Sequence, residues 1–198
     1  EFAQEGKEKI TVRQLLGHQA GLFAFDGMDD RDLIRDLDRL AAVLARQKPE
    51  WEPGTRQCYH AISLGYYESE LLRRVDAKRR SLGRYFQEEI ATPLKLDFYI
   101  RLPEEIPNSR LAVLDSTNYS SLKAITTVPL GFFLGLMSRR SPLSRSLVGT
   151  TLGLDPDAIY ARNLEVPSGG GVGTARAIAR AYGVFATGGY ELGLREET

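Results

Sequence analysis

With 198 residues, 42% of them hydrophobic, the chain is long enough to enclose one core and too apolar for wholesale disorder. Its 26 basic and 26 acidic residues cancel, so no long-range field draws it to nucleic acid or to an anionic membrane. A single cysteine, Cys58, excludes an internal disulfide and leaves the compartment open.

The chain opens Glu1-Phe2-Ala3-Gln4 and closes Arg195-Glu196-Glu197-Thr198, which reads as an internal piece of something longer, so localisation stays unknown. Thr11 is placed to cap a short helix through Leu16, and Gly21 follows as a stop. Asp29-Asp30 opens the next helix. Leu33, Leu37, Leu40 and Leu44 fall at helical spacing, and Pro49 ends it. Its outer face alternates in charge from Arg31 to Arg39, which suits a solvated surface.

After Pro53-Gly54 a helix is expected from about Ile62 to Val75. Ser81 caps another, with Leu82, Tyr85, Phe86 and Ile90 on one face and Pro93 as its breaker. Lys95 to Arg101 alternates partly and is the best strand candidate. The region 116–153 reads as an apolar insertion or lid. Within it, Val128 to Met137 is apolar throughout but too short to span a bilayer. The plain reading is a buried helical turn; a wall over a substrate pocket or a patch on a membrane surface are the alternatives. Thr174 caps the last helix, with Ile178, Tyr182 and Phe185 turned inward and Gly188-Gly189 as its stop.

Few constellations can carry chemistry. Gly169-Gly170-Gly171-Val172-Gly173 looks like a phosphate cradle, but it lacks the third fingerprint glycine and any G-K-[ST], so a tight turn is the better account. His18 and His60 are the only histidines, and no cluster has metal-ligand spacing. Neither a metal nor a cofactor is therefore expected. Ser120-Ser121-Leu122-Lys123 fits S-x-x-K, in which a lysine one helical turn on can reach a serine hydroxyl, but the pattern is common enough to arise by chance.

Four stretches together resemble the β-lactamase-related serine hydrolases: class C β-lactamases, D-Ala-D-Ala carboxypeptidases and the esterases that share their fold. Ile10 to Leu22, I-T-V-R-Q-L-L-G-H-Q-A-G-L, is similar to that family's I-T-V-R-x-L-L-x-H-x-S-G-L segment. Trp51 to Val75 resembles its P-G-T-x-x-x-Y-x-N block, Ser81 to Leu96 its helix ending E-x-I-x-x-P-L-G-L, and Pro167 to Gly189 its P-S-G-G-G-V-x-T-A segment.

The resemblance implies a mainly α chain: the helical lobe and part of the α+β fold of β-lactamases and penicillin-binding-protein-like transpeptidases, as one partial domain over 1–198. It makes Tyr59 the catalytic phenol that moves protons to and from a serine nucleophile. A free phenol, with a pKa near ~10, is a poor base at neutral pH, so the family's lysine must hold it ready. His60, Ser168, Gly169 and Gly170 are implied on the substrate side. A surface position, or one that supports the site without touching substrate, is the alternative for His60, and turn geometry the alternative for the loop. His18 matches a family histidine and reads as packing.

Three departures matter. Tyr-x-Asn has become Tyr59-His60-Ala61, as in some esterase-like branches, which favours esters over antibiotics. The family's S-x-x-K lies before its I-T-V-R segment, so Ser120-Lys123 is in the wrong order. The K-T-G or H-T-G strand comes later than Gly188-Gly189. The expected partner is a small ester or amide, with the chain inactive by itself. The rival is a non-catalytic β-lactamase-like binding or scaffold protein.

Overall fold

Helices carry most of the computed structural model, which describes residues 2–113, 129–147 and 162–195. The first, α1 (Val12–Leu16), starts on a reciprocal cap. The Gln14 N–H donates to Thr11 Oγ1 (3.2 Å), while the Thr11 N–H donates to Gln14 Oε1 (2.9 Å).

Asp30 then caps α2 (Arg31–Arg35), accepting from the N–H groups of Asp32 and Leu33 at 2.9 and 3.1 Å. The single helix expected up to Pro49 is in fact two. At Asp36 the backbone opens (φ −93°, ψ 90°), and its carboxylate accepts from the Arg39 N–H at 3.0 Å to start α3 (Leu37–Arg46). Asp bonds its local backbone better at a cap than inside a helix, which explains the break.

The leucine stripe still points inward. Leu33, Leu40 and Leu44 join Leu15, Leu22, Phe25 and Ile34 in a core against Tyr66 and Tyr67 of α4 (Ser63–Val75). The end of α3 is closed by a buried lysine: Lys7 Nζ donates to the carbonyls of Ala45 (2.8 Å) and Gln47 (2.6 Å).

A second core lies between α5 (Leu82–Phe86), its π-helical continuation Gln87–Ala91, and α8 (Ala175–Ala186). Here α8 turns differently from expectation. Ala177, Ala181 and Val184 pack inward, while Ile178, Tyr182 and Phe185 are 43%, 74% and 48% exposed. The helix carries two apolar faces, and the smaller residues allow the closer approach to Ala91 and Leu94.

The expected strand at Lys95–Arg101 shrinks to β1 (Phe98–Tyr99), antiparallel to β2 (Val172–Gly173), with Arg101 bridged to Glu165. A Cβ on Gly173 would lie 2.5 Å from Phe98 Cδ2, so glycine permits this ladder. Buried Glu165 accepts from Ser81 Oγ and from the Gly83 N–H, both at 2.7 Å, placing a carboxylate at the start of α5.

The apolar stretch forms α6 (Leu130–Met137), followed by α7 (Pro142–Leu147). The buried placement expected of it is not found: Leu130, Phe132, Leu134 and Met137 are exposed, and contact with α7 runs through Gly135 against Leu143. The rest of the 116–153 insertion, and with it Ser120-Lys123, lies outside the described residues.

Candidate active site

The Pro53-Gly54 turn is laid alongside residues 18–21 by three main-chain hydrogen bonds. Glu50 N–H donates to Gly21 O (3.0 Å), Gly54 N–H to Gln19 O (3.0 Å) and Cys58 N–H to His18 O (3.1 Å). Gly21 (φ 71°) allows this close approach, since a Cβ there would meet Glu50 N at 3.2 Å. Trp51 stacks on Phe23 with centroids 5.4 Å apart, anchoring the near end of the turn. The far end delivers Tyr59.

The Tyr59 side chain is 61% exposed. Its ring lies 4.8 Å from that of His18 at 60°, and its carbonyl accepts from the Ser146 hydroxyl of α7. Tyr66 and Tyr67, on α4, are buried in the core, which pushes their hydroxyls well above the ordinary phenol range.

His60 faces the opposite way from the expected substrate contact. It is 1% exposed, and both ring nitrogens are engaged: Nε2 accepts from the Leu22 N–H (3.1 Å), and Nδ1 lies 2.7 Å from Cys58 O. Since Nε2 must accept, the proton sits on Nδ1 and is donated to that carbonyl. Burial pulls the imidazole down to about 4, against the Cys58 carbonyl, which raises it, and with a smaller contribution from His18. His60 is thus a neutral bracket between Leu22 and Cys58, and its buried ring offers no atom to a cleft.

Ser168, 103 residues further along the chain than Gly65, reaches the first turn of α4. Ile62, before α4, supplies no side-chain cap, and the Gly65 N–H donates instead to Ser168 Oγ at 2.8 Å. The fit needs glycine: a Cβ on Gly65 would lie 2.6 Å from Ser168 N and 2.8 Å from Pro167 Cβ. Ser63 Oγ donates to Leu22 O (2.8 Å), fixing the same first turn to the His60 side. The first turn of α4 is therefore held by Ser168 at Gly65 and by Leu22 at Ser63.

Gly169 is exposed and Gly170 buried, and both their N–H groups donate to Val166 O, at 3.1 and 2.6 Å. Beside them opens a cavity of about 380 Å³ lined by Gly169, Gly171, Asp97, Tyr99 and Arg110, with Arg110 paired to Asp97 at 2.6 Å. A more apolar cavity of about 300 Å³ lies between α1, α3 and α4, and neither Tyr59 nor Ser168 lines either cavity. Among the described residues no group of three or more His, Cys, Asp or Glu side chains is gathered as metal ligands. Sequence reasoning left His18 and Ser146 out of the site; the histidine of the L-L-G-H segment was the available signal for the first, and nothing local marks the second.

The chain as a whole has counterparts among known proteins. The chain is 32% identical to the esterase/beta-lactamase LipL of Mycobacterium tuberculosis over 98% of its own length and 44% of that protein's. It superposes on a family VIII carboxylesterase with a TM-score of 0.69 at 34% identity, covering 94% of this chain and 46% of that one. A penicillin-binding protein homologue from Caulobacter crescentus gives 0.62 at 30% identity, over 95% and 46%. The chain thus spans less than half the length of each of these relatives. The Beta-lactamase family pattern runs through residues 1–197, and by that match this chain belongs to the beta-lactamase family.

Proposed function

We propose that this chain is a portion of an esterase-like serine hydrolase, in which Tyr59 carries protons between a serine nucleophile and its leaving group. The observation that supports it most is an exposed phenol on a backbone held from several sides. Such a group can meet a reacting atom without first reorganising.

The parent reaction opens an ester or amide by serine attack, forms an acyl-enzyme and releases it to water. The family's S-x-x-K pair precedes its I-T-V-R segment, and residues 1–9 contain no serine. We therefore place the nucleophile and its lysine N-terminal to Glu1, and the K-T-G or H-T-G strand after Thr198, in the natural polypeptide. The 198-residue chain alone is inactive on this reading.

Ser168, Gly169 and Gly170 form the opposing wall. Ser168 Oγ accepts from Gly65 and keeps its own proton to donate toward a substrate oxygen. The glycine N–H groups are occupied by Val166 O, so these two residues supply shape. His60 supports Tyr59 through the Cys58 carbonyl. A non-catalytic scaffold has no observation of its own in favour, whereas relatives of this chain are named as esterases.

The test is the hydrolysis of p-nitrophenyl butyrate by the natural polypeptide containing residues 1–198. Tyr59→Phe should lower kcat by roughly 10²- to 10⁴-fold, the scale of a lost general acid–base group. A variant that keeps the wild-type kcat would remove the basis of this reading.

A further inference from the structure

We propose that His18 is a positioning residue for Tyr59, holding it by ring and main chain at once; this rests on reading Tyr59 as the proton carrier. A side chain 61% exposed ordinarily samples several rotamers on a mobile loop. Around Tyr59, however, the peptide groups are engaged one after another. The Cys58 N–H donates to His18 O (3.1 Å), and Cys58 O accepts from His60 Nδ1 (2.7 Å). Tyr59 O accepts from Ser146 Oγ, and the His60 N–H donates to His18 Nδ1 (3.1 Å).

His18 provides two of these four contacts, and its ring also packs against the phenol. It does so from a left-handed backbone conformation, φ 58°. Histidine, like asparagine and aspartate, is found there several-fold more often than other side chains. An imidazole with one nitrogen taking the N–H after Tyr59 and its face against the phenol points to a use for the ring itself.

The nitrogen's protonation state follows from its partner. His18 Nδ1 faces an N–H, so it carries a lone pair and the ring proton sits on Nε2. Burial lowers the His18 pKa, which keeps the ring in that form. The adjacent His60 ring, 5.3 Å away, is locked into the opposite tautomer by Leu22 and Cys58. The two histidines thus fix the turn in complementary senses, His18 accepting from the peptide after Tyr59 and His60 donating to the peptide before it.

Two substitutions tolerate φ 58° and separate the roles. His18→Asn keeps an acceptor where Nδ1 stands, and His18→Gly removes it. In the natural polypeptide, with p-nitrophenyl butyrate, His18→Gly should lower kcat on the order of 10- to 100-fold while KM moves little, and His18→Asn should recover most of the loss. In a Tyr59→Phe background His18→Gly should cost nothing further, because its effect passes through the phenol. An unchanged kcat in His18→Gly, or an equal loss with and without the Tyr59 hydroxyl, overturns the inference. If Tyr59→Phe alone leaves kcat intact, it is the proton-carrier reading that fails. Should His18→Gly not fold, ¹⁵N chemical shifts of the wild-type imidazoles still decide: His18 must show an unprotonated Nδ1, and a protonated one ends the proposal.

Discussion

Burial sets the chemistry of His60 through its neighbours, and this has a measurable consequence. The folded pKa of about 4 lies below the 6.5 of a free imidazole. Between these values the unfolded chain binds a proton that the folded chain refuses, so stability falls as pH drops from 6.5 toward 4 and is fully present above that window. The size is on the order of 3 kcal/mol. His18, lowered by its own burial, adds in the same direction. Urea unfolding of the 198-residue chain at pH 7 and pH 4.5 should show this loss, and His60→Gln should flatten the slope. The carboxylates Asp76 and Asp38, held low chiefly by hydrogen bonds from Arg80 and Arg73, lose their contribution below about 4. Glu88, held low by Arg80, begins to lose its own from 4.5 downward, while Glu68, raised by burial, works in the opposite direction. The His60 share is therefore read from the difference between wild type and His60→Gln. A wild-type stability that does not fall across this window contradicts the account. The pairing of Tyr59 with His60 was legible as a motif. The direction each ring faces was not, because the donor to His60 Nε2 is the Leu22 N–H, 38 residues away.

Among the elements, α4 has the most to say about the site, since its first turn is capped from outside. Gly65→Ala would put a Cβ 2.6 Å from Ser168 N, backbone that cannot yield like a flexible side chain. Overpacking of this kind costs about 1–3 kcal/mol. The expected result is a lower Tm and a displaced Ser168 loop, seen as shifts of the Ser168 and Gly169 amide resonances; unchanged resonances would mean the two segments do not touch. Helix starts were readable wherever a cap is local, as at Thr11, Asp30, Ser81 and Thr174. The break at Asp36 escaped notice because the leucine spacing runs straight through it. The second strand was hidden because Val172-Gly173 looks like a turn until Phe98 is seen to need that glycine. For α8, periodicity revealed an apolar helix but could not choose between its two apolar faces.

At the scale of the whole molecule, two cores are joined through α4, Arg80 and Glu165. The Arg80 guanidinium grips Asp76 after α4 (2.9 Å) as well as Glu88 (2.8 Å) and Glu89 (2.6 Å) in the π turn. Helix-rich architecture and esterase-like kinship were both foreshadowed by four motif blocks in family order, since turn glycines, caps and the tyrosine are local features. A reacting centre, by contrast, is assembled from distant segments, and the chain spans less than half of its relatives' length. The account is tested most directly by finding the nucleophile. The natural polypeptide would be treated with a serine-reactive fluorophosphonate and the adduct located by peptide mass spectrometry. The adduct should fall on a serine N-terminal to Glu1 and be slowed by Tyr59→Phe; an adduct on Ser120, or on any other serine within residues 1–198, would contradict it.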